Sequence, residues 1–122
     1  SHRVADQRAT FEFFYPRLDR NGVYAVEDVH TSYWTNYGGG RGDPASFIEF
    51  TKTLIDQLHG EWTLEPTDRT AFTRSTMSMH IYDSLIVFEK GVSPRPRALF
   101  SEAGRHEEKE LPPLIPVRPG TL

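Results

Sequence analysis

The stretch Val23-Tyr-Ala-Val-Glu-Asp-Val-His-Thr-Ser-Tyr-Trp34 decides how this chain is read. Val23 to Val29 is a β-former run, with Val23, Ala25, Val26 and Val29 apolar. The apolar positions do not alternate strictly, which predicts a strand covered on both faces. The run delivers two adjacent acids, Glu27 and Asp28, to its own carboxyl end. An aromatic-rich loop follows, and then a glycine run. Open α/β sheets build ligand sites at the carboxyl ends of their strands. Paired carboxylates there suit a hard divalent cation, which takes oxygen ligands.

Working outward, Val4, Phe11, Phe14, Tyr15 and Leu18 recur at helical spacing before the strand. Pro16 limits that helix to about Phe14 or Tyr15, and Asn21-Gly22 is a turn. Residues 30–43 read as a loop containing Gly38-Gly39-Gly40-Arg41-Gly42, whose glycines suit a flexible hinge better than a phosphate cradle. Asp43-Pro44 predicts a helix start, with the acid as N-cap and proline in the first turn. Phe47, Ile48, Thr51, Leu54, Ile55 and Leu58 then form one apolar face, and Gly60 closes the helix. Residues 61–76 are polar and read as irregular. Met79-His-Ile-Tyr82 and Leu85-Ile-Val-Phe88 flank Asp83-Ser84, which predicts a hairpin, with Gly91 beyond it. Six of the nine prolines lie from Pro94 onward, so residues 92–122 are expected as an extended or disordered tail. The fold class is therefore α/β, in the order helix, strand, helix, β-hairpin, with a Pro-rich tail.

Composition narrows the function. The chain has 122 residues and 37% apolar residues, a low value for one small domain. The Val23 strand has no parallel partner upstream. Both points lead us to expect a chain that starts partway through a longer protein. A net charge of −3 without a basic cluster argues against nucleic acid as a partner. Without cysteine there is neither a disulfide framework nor thiolate chemistry. No apolar run is long enough for a membrane span, and no secretory signal is visible, so a cytoplasmic location is expected.

A resemblance now becomes visible. Ser1-His2, the intervening helix, and Gly22-Val-Tyr-Ala-Val-Glu-Asp-Val-His-Thr-Ser-Tyr-Trp34 resemble the C-terminal half of class I S-adenosylmethionine-dependent, metal-dependent sugar O-methyltransferases. Those that modify macrolide and related natural-product sugars are the nearest match. The similarity continues through Phe47-Ile-Glu-Phe-Thr-Lys-Thr-Leu-Ile-Asp56 and Val87-Phe-Glu-Lys-Gly91, covering roughly residues 1–91. It implies a Rossmann-like methyltransferase sheet in which the Val23 strand is the fifth and the hairpin strands are the sixth and seventh, the seventh inserted antiparallel. It also implies a divalent metal, Mg²⁺ or Mn²⁺, held by Glu27 and Asp28, with His2 as the general base. The expected reaction is methyl transfer from S-adenosylmethionine to a hydroxyl of a small, sugar-bearing molecule. No residue here is assigned to S-adenosylmethionine.

The resemblance leaves several side chains with two readings. His30, Tyr33 and Trp34 are candidates for the substrate pocket, although His30 also reads as an ordinary loop histidine and the aromatics as cover for a sheet edge. Asp43 reads as a helix cap, and His80 and Tyr82 as structural strand residues. Residues 1–122 alone are expected to be inactive. The rival reading is a non-catalytic remnant that binds a partner through its open sheet edge and Pro-rich tail. Homo-oligomerisation is compatible with either.

Overall fold

The structure is a computed structural model that describes residues 1–92, 97–102 and 105–110, the last two segments as backbone strands. Helix α1 (Val4–Phe14) buries Val4, Gln7 and Phe11. Tyr15 continues the stripe in a 3₁₀ turn, Tyr15–Arg17, where Pro16 ends regular hydrogen bonding as the sequence predicts. One expected member of the stripe is displaced. Phe14 is 52% exposed, and Gln7 occupies a buried place instead. Phe14 lies on the flank of the stripe, where its ring packs against exposed Phe13 at 5.0 Å.

Strand β1 (Val23–Glu27) stops short of the expected Val29. Asp28 takes φ 130°, a turn out of extended backbone, and Val29–Tyr33 winds into a 3₁₀ helix. Thr35–Tyr37 forms another. The expected loop is thus largely helical in its first half. Helix α2 (Phe47–Leu58) begins later than Asp43-Pro44 suggests. Ser46 is the N-cap, its hydroxyl accepting from the Glu49 amide at 3.1 Å. Asp43 closes a local turn, accepting from the Ala45 amide at 2.9 Å. The buried face is Phe47, Phe50, Thr51 and Leu54, while Ile55 is 40% exposed. Residues expected to be irregular contain helix α3 (Ala71–Ser75), started by a reciprocal cap between Thr70 and Thr73. Five residues are too few for helical periodicity to show.

Strands β2 (Thr76–Tyr82) and β3 (Leu85–Lys90) form the expected hairpin about Asp83-Ser84. Sheet order is β1-β3-β2, with β3 antiparallel to both neighbours, so β1 and β2 run parallel. The last strand is therefore inserted antiparallel between the other two, as the resemblance implies. Tyr24 and Val26 pair with Phe88 and Ile86 and turn toward the helices. Val23, Ala25 and Glu27 on the other face are exposed. Among the described residues the sheet is thus covered on one face, not two, and β1 alternates cleanly. Within the expected tail, β4 (Arg97–Glu102) and β5 (Arg105–Glu110) pair antiparallel; the rest of that segment lies outside the described residues. No helix among the described residues is long and apolar enough to cross a membrane.

Phe11 sits at the centre of the core. Its ring meets Tyr15, Tyr24, Phe47, Phe50 and Phe88 with centroids 4.7–5.9 Å apart. Edge-to-face and offset pairs of this kind add about 0.5–1.5 kcal/mol each beyond area burial. One ring thereby joins α1 to β1, α2 and β3. Lys90 closes the far end, its Nζ donating to the Tyr15 and Leu18 carbonyls at 2.9 and 3.2 Å. Burial lowers the pKa of Lys90, and the nearby Asp19 charge opposes that shift.

The Tyr15 hydroxyl is hydrogen-bonded to Thr76 Oγ1 at 2.6 Å. Burial pushes its pKa up to about 12 from 10.0, partly offset by the Thr76 bond. Folding therefore favours the neutral phenol. The stability this contributes is complete below the unfolded value and is lost as pH rises from about 10 toward 12. Alkaline unfolding followed by circular dichroism should show that decline, and Tyr15→Phe should remove most of it. At neutral pH the same substitution should cost about 1 kcal/mol by stranding the Thr76 hydroxyl.

Candidate functional site

The site assembles where α1 begins and β1 ends. Val4, 2% exposed, anchors the first turn of α1, which brings the preceding Ser1-His2 against the carboxyl end of β1. Nδ1 of His2 lies 3.3 Å from Oδ2 of Asp28, with both side chains about half exposed. An open cleft of about 330 Å³ is lined by Ser1, His2, Gln7, Glu27 and Asp28 together with β1 residues Tyr24 to Val26 and Thr10 of α1. The three residues expected to hold a metal and a proton, His2, Glu27 and Asp28, therefore converge on one space.

Asp28 is held in a conformation that L side chains rarely adopt, φ 130° and ψ 57°. Such backbone costs on the order of 1–3 kcal/mol and persists only where its surroundings over-determine it. Those surroundings are visible. The Val29 amide donates to the Ser84 carbonyl at 3.3 Å. Thr31 Oγ1 donates to the Asp28 carbonyl at 3.4 Å. Gln7 Nε2 donates to the Glu27 carbonyl, also at 3.4 Å.

His30, Tyr33 and Trp34 stand beside this cleft and do not line it. His30 Nδ1 is hydrogen-bonded to Ser84 Oγ at 2.5 Å, tying the 3₁₀ helix to the hairpin turn. Its ring meets Trp34 edge-on at 4.8 Å. Trp34 contacts Tyr37, and Tyr37 contacts His2, at 6.0 and 6.5 Å between centroids. Tyr33 and Trp34 are half exposed. An aromatic chain thus runs from His30 to His2 along the rim.

Hydrogen bonds, more than flexibility, define the glycine run behind it. The Gly39 amide donates to the Trp34 carbonyl at 3.0 Å, and the Gly40 amide to that of Ser32 at 2.8 Å. A Cβ on Gly39 would fall on the Thr31 and Ser32 carbonyls. Ser32, buried, accepts from the Ile48 amide at 3.3 Å and so joins the rim to the start of α2. Gln7 and Ser32 do not stand out in the sequence, because isolated small or amide side chains carry no pattern, and Ser84 reads there only as part of a turn, not as a brace for His30 and Val29.

The donor set tests whether a metal fits. Mg²⁺ is commonly bound by one or two carboxylates and keeps several waters, which Glu27 and Asp28 on one open cleft can satisfy. Among the described residues no group of three or more His, Asp or Glu side chains is placed to hold a metal ion, so the chain offers at most the two adjacent carboxylates. The fit is to a partly hydrated, hard cation.

No family model matches the chain. It is 35% identical to the 8-demethyl-8-(2-methoxy-alpha-L-rhamnosyl)-tetracenomycin-C 3'-O-methyltransferase of Streptomyces olivaceus, over 75% of this chain and 25% of that protein. It is 32% identical to the L-olivosyl-oleandolide 3-O-methyltransferase of Streptomyces antibioticus, over 98% of this chain and 29% of that one. Among solved structures it is similar to the MycE methyltransferase from the mycinamycin biosynthetic pathway in complex with Mg, SAH and mycinamycin VI. There the identity is 29% and the TM-score 0.66, over 75% of this chain and 24% of the other. A second crystal form, with Mg and SAH, gives a TM-score of 0.68 at 27% identity, over 75% and 25% of the two chains. In sequence and fold the chain thus matches the C-terminal part of S-adenosylmethionine-dependent methyltransferases, without spanning them. The homologues are sugar O-methyltransferases, and the chain spans about a quarter of the length of the curated relatives it matches.

The strain at Asp28 gives a stability test. Asp28→Gly should relieve it and raise unfolding free energy by about 1 kcal/mol, after the added chain entropy of glycine in the unfolded state. Urea titration of the full-length protein reads this directly. A loss of stability would mean that the Asp28 side chain contributes more than its backbone costs.

Proposed function

We propose that the full protein transfers a methyl group from S-adenosylmethionine to a hydroxyl of a small, sugar-bearing molecule, with Mg²⁺ or Mn²⁺ held by Glu27 and Asp28. The observation that carries this reading is the convergence of His2, Glu27 and Asp28 on one cleft at the carboxyl end of β1. The presence of Mg and SAH in the MycE complexes supports it.

The reaction forms an O–C bond to the methyl carbon and breaks the S–C bond, leaving a neutral thioether. The hydroxyl proton must be taken up as this happens. The cation, when bound, supplies positive charge that acidifies and orients the acceptor hydroxyl. Glu27 and Asp28 contribute hard oxygen ligands on adjacent residues at a strand end. His2 presents Nδ1 to Asp28, which fixes the ring and leaves Nε2 to accept the proton. Transfer is an in-line displacement, so the side chains act chiefly by positioning. The half-exposed rings of Tyr33 and Trp34 suit the apolar face of a sugar at the rim, with His30 fixed behind Trp34 by its Ser84 bond. The setting belongs to the same proposal: a cytoplasmic enzyme whose partner is a small molecule and not nucleic acid. Residues 1–122 alone are proposed to be inactive, since two carboxylates and one imidazole do not make a site for the methyl donor.

In the full-length protein, Asp28→Asn should reduce metal-dependent turnover by about 100-fold or more, with the loss largest at limiting Mg²⁺. His2→Ala should lower kcat by about 10²–10⁴-fold while leaving S-adenosylmethionine affinity nearly unchanged. Steady-state assays with a methylatable sugar acceptor and calorimetry with S-adenosylmethionine measure both. Wild-type turnover in either variant would remove that residue from the mechanism.

A further inference from the structure

Gln7 is 6% exposed, on the buried stripe of α1, yet it lines the cleft of His2, Glu27 and Asp28. Its two amide atoms are used unequally. Nε2 donates to the Glu27 carbonyl at 3.4 Å. Oε1 is buried and has no hydrogen-bond partner among the described residues. An orphaned buried acceptor loses its water and gains nothing, so a leucine of similar length would be the better choice for packing alone. A residue that is unfavourable for stability beside a site is a candidate for function.

The carbonyl that Gln7 holds belongs to the peptide joining Glu27 to Asp28. That peptide leads directly into the positive φ of Asp28. The other restraints, Thr31 on the Asp28 carbonyl and Ser84 on the Val29 amide, act on the far side of Asp28. Gln7 is the side chain that acts on the near side, and it does so between the two carboxylates.

We propose that Gln7 is a positioning residue for the metal ligands: its amide clamps the Glu27–Asp28 peptide and so sets the angle between their carboxylates. This rests on the metal reading above. Partners that orient metal ligands typically change metal affinity by about 10–100-fold when removed. Gln7 touches neither metal nor substrate in this role, so its effect runs through geometry alone.

The test is Mn²⁺ binding to the full-length protein, read by electron paramagnetic resonance, alongside metal-free thermal melting. Gln7→Leu and Gln7→Met both delete the donor while keeping side-chain bulk, and either one suffices if the other folds poorly. The expected result is Mn²⁺ affinity weakened by about tenfold or more, with an unchanged or raised metal-free melting temperature. Affinity within twofold of the unmutated protein would overturn the proposal, as would a loss matched by an equal fall in metal-free stability. Asp28→Asn separates the two layers. If it abolishes Mn²⁺ binding while the Gln7 variants keep it, the metal reading stands and the Gln7 role falls. If the unmutated protein binds no Mn²⁺, both fall together.

Discussion

The structure depends on Phe11. Its ring is fully buried, and it is the point at which α1 meets β1, α2 and β3. Among the described residues, helix α1 reaches the sheet by hydrogen bond only through the amide of Gln7. Its height and tilt over β1 are therefore set by packing of Val4, Phe11 and Tyr15. Helices are rigid over this length, so what fixes Phe11 also fixes the residues just before Val4. The 3.3 Å approach of His2 to Asp28 is in this sense a property of the aromatic core. Truncating a buried Phe costs about 3–5 kcal/mol; here the geometry lost would include the distance between the His2 imidazole and the Asp28 carboxylate.

The sheet shows why the carboxylates are accessible. β3 enters antiparallel between β1 and β2, so its turn with β2, Asp83-Ser84, comes up beside the carboxyl end of β1. Ser84 then holds both the Val29 amide and the His30 ring. The hairpin thus braces the segment that follows the acids, which leaves the acids themselves free to face the cleft. The glycine run contributes in the same direction: Gly39 lets the chain pack against the Thr31 and Ser32 carbonyls where no side chain would fit.

Much of this was legible in the sequence, and the exceptions have physical causes. The order helix, strand, helix, hairpin followed from periodicity, and the resemblance supplied the insertion of the last strand, which no local pattern encodes. The acids at the end of β1 were visible because a strand was seen to end on them. The start of α2 falls later than the sequence suggests because Asp43 satisfies a turn amide with the same chemistry that caps a helix, and Ser46 takes the cap. The second covered face of β1 rests in the sequence on Val23 and Ala25, which are exposed among the described residues. Spacing places Phe14 and Ile55 on core stripes, but both are exposed, since flank positions turn inward or outward according to what packs above them. Gln7 is illegible for the opposite reason: in sequence a polar residue on an apolar stripe looks like an interruption, and only the fold places its amide on the Glu27 carbonyl.

The positive φ of Asp28 also fixes the order of the acidic pair. Of the two carboxylic acids, aspartate is the one that tolerates left-handed backbone, because its short side chain can bond locally. Glutamate sits instead at the last extended residue of β1, where its longer arm has ordinary torsions. Reversing the dipeptide would keep net charge, composition and approximate reach, yet it would load the twisted position with the wrong acid. Two chemically equivalent groups are therefore not exchangeable, and the asymmetry comes from a single torsion angle.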